Sequence, residues 1–180
     1  TNRKSSHCRS RYSTEFPTSN IGKAGKMEPL AELEVGDSKF LGFCFAIQNL
    51  KEASEHRAKL QSQHPKAAHV PVIWRLSKGP ESSHGFDEDG EPPNSVGPGI
   101  LRLIQEQQQQ QSPTGGVAVV IVRYFESQLL GVTCGRLPQC YEGIARLSLH
   151  RFFTNSGTPL EWNIPTIHDH NIYGMAAGDS

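Results

Sequence analysis

The residues able to do chemistry in this chain gather around one stretch, His84 to Leu101. Asp87, Glu88, Asp89 and Glu91 crowd together there, so like charges repel and the segment is not interior unless a partner offsets them. Pro92, Pro93 and Pro98, with Gly90, Gly97 and Gly99, suit neither a helix nor a central strand and predict a shaped loop. The loop ends where Ile100-Leu101-Arg102-Leu103-Ile104 starts a helix, so free backbone N–H groups are expected beside it. His69, Arg75, Asp87, Asp89, Glu91, Ser95, Gly97 and Arg123 flank this loop and the expected strand ends, and they are the groups expected to converge. Two chemistries fit them. In one, Arg123 neutralises the acidic loop through paired hydrogen bonds and holds it down. In the other, Ser95, the backbone N–H groups near Gly97 and Gly99, and Arg123 form an anion pocket for a phosphate or a partner's carboxylate.

Catalysis is the minority reading. Ser95 and Cys134 are available nucleophiles, with His69 and His84 as candidate bases, but no nucleophile elbow and no His-Glu-x-x-His spacing occurs. No Walker lysine accompanies the Gly-rich turn, and the nearby acids repel a phosphate. His168-Asp169-His170 reads as a solvated tail rather than a metal site, because adjacent residues cannot all face one ion. Cys134 and Cys140 lack the spacing of a zinc knuckle. No catalytic residue, metal or cofactor is therefore expected, and the chain reads as a non-enzyme.

The elements that must position these groups follow from periodicity. Phe40 to Ile47 is a short apolar, aromatic run and predicts the first core strand. Asn49 caps a helix with Glu52 at the reciprocal position, and Leu50, Ala53, His56 or Arg57, and Leu60 recur at helical spacing until Pro65. His69 to Leu76 predicts a second strand, with Pro71 placing it at an edge or at its own beginning. The helix opened by Ile100 runs into Gln107 to Gln111, read as a solvated extension or floppy insertion. Val117 to Tyr124 is a continuous apolar run suited to burial on both faces, hence the central strand. Arg136 to Phe153 predicts a third helix with Leu137, Tyr141, Ile144, Ala145 and Leu149 inward. Alternating strands and helices predict an α/β sandwich, a sheet with its helices on one face.

Equal numbers of basic and acidic residues, 18 each, exclude global steering toward nucleic acid or acidic lipid. A hydrophobic content of 36% is low for a wholly packed chain. Residues 1–26 read as a disordered basic tail, 38–153 as one folded domain and 154–180 as a C-terminal tail. Cys8, Cys44, Cys134 and Cys140 show no CxxC pair, which fits a reducing compartment. A cytoplasmic location follows, with the mitochondrion as the alternative if residues 1–26 are a presequence. No membrane partner is expected.

Ala67-x-His69, Trp74-Arg75, Asp87-x-Asp89-Gly90-Glu91-Pro92, Ser95-Val96-Gly97, Val120 to Phe125, Leu130-Gly131 and Tyr141 occur in an order and spacing that resemble the Impact N-terminal domain, or YigZ, family. The likeness spans about Phe40 to Phe153. The flanks are expected to be too short for the RWD or ferredoxin-like domains of other members, which suggests a single-domain, eukaryotic-type member. The resemblance implies an α+β fold, a two-layer sandwich of a mixed sheet with helices on one face, like the ribosomal-protein S-five domain-two-like superfold, which can contain a left-handed crossover. It also implies a non-enzymatic regulator of translation in the amino-acid-starvation response, competing for the activator of the initiation-factor-two kinase. The alternatives are an RNA- or ribosome-binding module, with residues 1–26 as a basic arm, and a phosphate-handling enzyme.

Overall fold

The computed structural model describes residues 25–76, 83–111, 115–125 and 136–154. The expectations for the two tails, for Cys8 and Cys134, for Leu130-Gly131 and for His168-Asp169-His170 lie outside the described residues. Five strands and three helices follow one another as β1 (Ala31–Val35), β2 (Ser38–Ile47), α1 (Leu50–Gln63), β3 (Val72–Leu76), β4 (His84–Asp87), α2 (Gly97–Gln111), β5 (Gly116–Phe125) and α3 (Leu137–Thr154). The strands form one sheet in the order β1-β2-β5-β3-β4. The α+β class stands. Two details of the expected sheet do not.

Every neighbouring pair of strands is antiparallel, so the sheet is not mixed. Helical connections suggested parallel neighbours, but each crossover skips a strand. β2 and β3 run parallel on either side of β5, joined through α1; β4 and β5 run parallel on either side of β3, joined through α2. Nor do the helices share one face. Val96, Ile100, Leu103 and Ile104 of the α2 region and Tyr141, Ile144, Ala145 and Leu149 of α3 pack on Phe40, Cys44, Ile73, Val119 and Ile121. Ala53 and Leu60 of α1 pack on Leu41, Phe43, Phe45, Ile47, Val72, Val120 and Val122. These residues alternate along each strand, so they line opposite sides of the sheet.

The placement has a topological consequence. The two crossovers travel in opposite directions across the sheet between strands of opposite polarity. Equal handedness puts both helices on one face; α1 and α2 lie on opposite faces, so the crossovers are of opposite hand. One of them departs from the right-handed rule, as the resemblance implied.

β5 is central and its residues from Gly116 to Arg123 are buried, because apolar cores press on both of its faces. α1 begins as its capping signal predicts: Asn49 Oδ1 accepts from the N–H of Glu52 at 3.1 Å, and the Glu52 carboxylate accepts from the N–H of Gln48 at 2.8 Å. Leu50, at the first position of α1, is 45% exposed, whereas Ala53 and Leu60 of the same spacing are buried. Gly42 lets α3 come close: a Cβ there would stand 2.1 Å from Ser148 Oγ. The folded unit also begins ahead of residue 38. Met27 is buried and β1 pairs along β2, so alternating Ala-Glu-Leu-Glu-Val belongs to the sheet.

The stretch His84 to Leu101 is not loop throughout. His84–Asp87 forms edge strand β4, and Gly97, Pro98 and Gly99 form the first turn of α2. A proline is tolerated there because a first-turn N–H has no helical partner. The glycines let neighbours in: a Cβ on Gly97 would meet the Phe86 ring at 2.2 Å, and one on Gly99 the Glu142 carboxylate at 2.1 Å.

Candidate functional site

Two strand ends and one loop bring the charged groups together. Just ahead of β3, His69 bridges to Arg123 near the end of β5: the Arg123 N–H donates to His69 O at 2.9 Å. Between β4 and α2, Asp89 and Asn94 take left-handed backbone angles, φ 52° and 60°, which short polar side chains tolerate better than others. Gly90, with φ 83°, completes the reversal. The loop thereby folds its acids back onto the ends of β3 and β5.

Glu91 lies deepest. Its side chain is 2% exposed, and its Oε1 accepts from Arg123 Nη1 at 2.7 Å and from the Tyr141 hydroxyl at 2.5 Å. Arg123, 9% exposed, also lies near Ser38 Oγ at 3.5 Å and over the rings of Phe40 and Phe125, 5.7 and 5.2 Å from their centroids. Its guanidinium is thus held by an anion on one side and π-faces on others. Burial, with the Glu91 charge next in weight, pushes the Tyr141 hydroxyl well above the ordinary phenol range, so it stays a neutral donor. His69 Nδ1 faces the carbonyl of Asp89 at 2.8 Å; a carbonyl only accepts, so that nitrogen carries the proton. The other ring nitrogen stands 4.0 Å from Glu91 Oε1.

Arg57, on α1, clamps the next two acids. It donates to Asp87 at 2.5 Å, to Asp89 at 2.6 Å and through Nε to the Val70 carbonyl at 2.9 Å. The second Asp89 oxygen accepts from the Val70 N–H at 2.6 Å. The backbone N–H of Asp89, followed by Arg57, holds the Asp87 carboxyl below the usual carboxylate range. Glu88 turns the other way. Its carboxylate accepts from the N–H groups of Asn94, Val96 and Gly97 at 2.8, 2.9 and 3.0 Å, at the start of α2. The backbone donors near Gly97 expected to line an anion pocket are therefore occupied by an acid of the same loop, whereas the Ser95 hydroxyl is buried without a hydrogen-bond partner.

The Impact N-terminal domain family model matches residues 36–149, a span that takes in β2 through most of α3 and every residue of this cluster. The chain belongs to the Impact family. It is 29% identical to the IMPACT family member YigZ of Escherichia coli (strain K12) over 146 residues, 80% of this chain and 68% of that protein. It is 31% identical to an IMPACT family member of Haemophilus influenzae over 113 residues, 61% of this chain and 50% of that protein. The chain thus spans between half and about two thirds of the length of these relatives. Among solved structures, a hypothetical protein superposes with a TM-score of 0.55 at 28% identity, covering 67% of this chain and 56% of that one. The likeness to the two-domain translational regulator Yih1, 20% identical with a TM-score of 0.42, is too slight to carry a role across.

Within this Impact domain, His69, Asp89, Glu91 and Arg123 come together, and Asp87 joins them through Arg57. Ser95 and Gly97 stand at the start of α2, where Gly97 donates to Glu88. Arg75 does not join. In the ladder it pairs with Val117, at the far end of β5 from Arg123, and it donates to Gln108 Oε1 at 2.5 Å. Gln108 is buried and returns a bond to the Arg75 carbonyl, so the glutamine run is not merely solvated. Sequence reasoning missed Arg57 and Glu88. The crowding of acids signalled that a cation was needed, but α1 offered His56 or Arg57 at one helical position. Glu88 lies eight residues before Val96, beyond any local capping pattern.

Burial pushes the Cys44 thiol up, which leaves it a poor nucleophile. Among the described residues no group of three His, Cys, Asp or Glu could hold a metal ion, and no helix is long and apolar enough to cross a membrane.

Proposed function

We propose that this chain is a non-enzymatic interaction module that regulates translation in the cytoplasm. It would act in the amino-acid-starvation response, competing for the activator of the initiation-factor-two kinase. One observation carries the choice between module and enzyme. The main charged and backbone donors are already engaged from within, the Val96 and Gly97 N–H groups by Glu88 and Arg123 Nη1 by Glu91, while the buried Ser95 hydroxyl stands without a partner. A phosphate would have to displace two carboxylates while the two neighbouring acids, Asp87 and Asp89, repel it. The cluster is better suited to hold the loop, α1, α2 and α3 in one arrangement, leaving the surface for recognition. Membership of the Impact family supports translational control as the setting.

The test is a calorimetric titration of the full chain into the purified activator, run beside an assay of kinase activation. Saturable binding with a matching loss of activation is expected. Binding that is absent, or present without any effect on the kinase, overturns the proposal.

A further inference from the structure

The outer margin of β4 is a sheet edge with an open groove beside it. Among the described residues β4 pairs only with β3. The N–H of Leu76 donates to Ser83 O at 2.8 Å, which sets the phase of that ladder. Ser83, Gly85 and Asp87 therefore turn their backbone groups toward β3, while His84 and Phe86 turn theirs outward. An edge of this kind is a template for another strand.

The side chains around it are equally unfinished. Leu50 and Phe86 are the exposed large hydrophobics among the described residues, at 45% and 36%. Phe86 stands on the α2 side of β4, against Gly97; Leu50 stands on the α1 side. On that α1 side a groove of about 250 Å³ is lined by Leu50, Ser54, Arg57, Val72, Trp74 and Asp87. The half-buried Trp74 ring reaches across Gly85, where a Cβ would come within 2.6 Å of it, so the ring forms an apolar floor running toward the free edge. At the end of the strand Asp87 and Asp89 face one cation, Arg57, and the Asp87 side chain remains 53% exposed. The margin is thus apolar along its length and acidic at one end.

We propose that the β4 edge takes an extended segment of a protein partner, added antiparallel to His84 and Phe86, that presents one basic residue followed by two apolar ones. The basic residue lies opposite Asp87, the first apolar residue opposite Phe86, and the second opposite Gly85 beside the Trp74 ring. Main-chain bonds supply the affinity and the alternating contacts the choice of sequence. An antiparallel addition continues the pattern of the whole sheet. The assignment rests on the interaction-module function proposed above and names the chemistry of the partner.

The test uses the full chain and a fluorescein-labelled peptide, Ser-Gly-Arg-Val-Ile-Thr-Gly-Ser, followed by anisotropy. Saturable binding is expected, with the His84 and Phe86 amides becoming protected from hydrogen exchange. His84→Pro removes an outward N–H without touching the β3 ladder, as edge strands tolerate, and weakens binding about tenfold, equivalent to roughly 1.4 kcal/mol. Replacing the peptide arginine by glutamate weakens it as well. Should His84→Pro fail to fold, Leu50→Ser decides the matter: weaker binding supports the site and unchanged binding overturns it. Absent binding of the peptide, or binding indifferent to His84→Pro in a folded variant, also overturns it. A dimer in sedimentation that His84→Pro abolishes means that a second copy takes the edge, and overturns the choice of occupant. Retained activator binding without peptide binding overturns this inference alone; absent activator binding overturns the proposed function and leaves the peptide result to decide the edge.

Discussion

Glu91 and Arg123 meet at 2.7 Å with side chains 2% and 9% exposed, and the Tyr141 hydroxyl closes on the same carboxylate oxygen. Each partner satisfies a group that would otherwise be stranded away from water. Breaking a buried pair is costly because the remaining charge stays buried, whereas replacing the whole set by apolar residues removes the desolvation cost too. Glu91→Ala or Arg123→Ala is expected to destabilise by about 3–5 kcal/mol. The combined Glu91→Leu, Arg123→Met, Tyr141→Phe variant is expected to lose less than either single change. Urea denaturation of the three proteins measures this; a combined variant weaker than both singles contradicts it.

Glu88 satisfies the open N–H groups at the start of α2 from a distance in sequence, doing for that helix what Asn49 does locally for α1. Glu88→Ala is expected to cost about 0.5–2 kcal/mol, the range for loss of a helix cap. Chemical denaturation checks the magnitude. Weak phosphate binding gained by that variant and absent in the parent, followed through the Val96 and Gly97 amide resonances, would show the carboxylate standing where an anion could.

Burial holds the imidazoles of His56 and His64 below the ordinary histidine range, so the unfolded chain binds protons more readily than the folded one. Their contribution to stability is full above the unfolded value, about 6.5, and is lost as pH falls through the lower folded values. Urea midpoints at about pH 7.5 and about pH 5.5 should therefore fall with acidity across the histidine range. His56→Phe, which keeps the stack on Phe45 at 4.0 Å, should flatten that fall. An unchanged slope contradicts the assignment for His56.

Local signals carried the elements and distance decided the site. The Asn49–Glu52 cap, the apolar run of β5 and the inward stripe of α3 all depend on neighbours within a few residues, and all are legible. Pro71 marks the beginning of β3, falling immediately before Val72. The sheet's antiparallel order was not legible, because it depends on which strand each crossover skips. β4 hid inside an acidic segment, since a short edge strand needs little apolar character. Arg75 was placed by strand ends alone, but the ladder register sends it to Gln108 rather than to Glu91. Arg57 and Glu88 act across the fold, and no spacing rule announces either.

In the proposed function the buried cluster holds the fold while another surface does the recognising. The most direct measurement is the affinity of the activator for the combined Glu91→Leu, Arg123→Met, Tyr141→Phe variant, once circular dichroism and a cooperative melt show it folded. The account predicts an affinity within about twofold of the parent chain, a difference of roughly 0.4 kcal/mol. Loss of binding in a folded variant would make the cluster itself the recognition site and contradict the account.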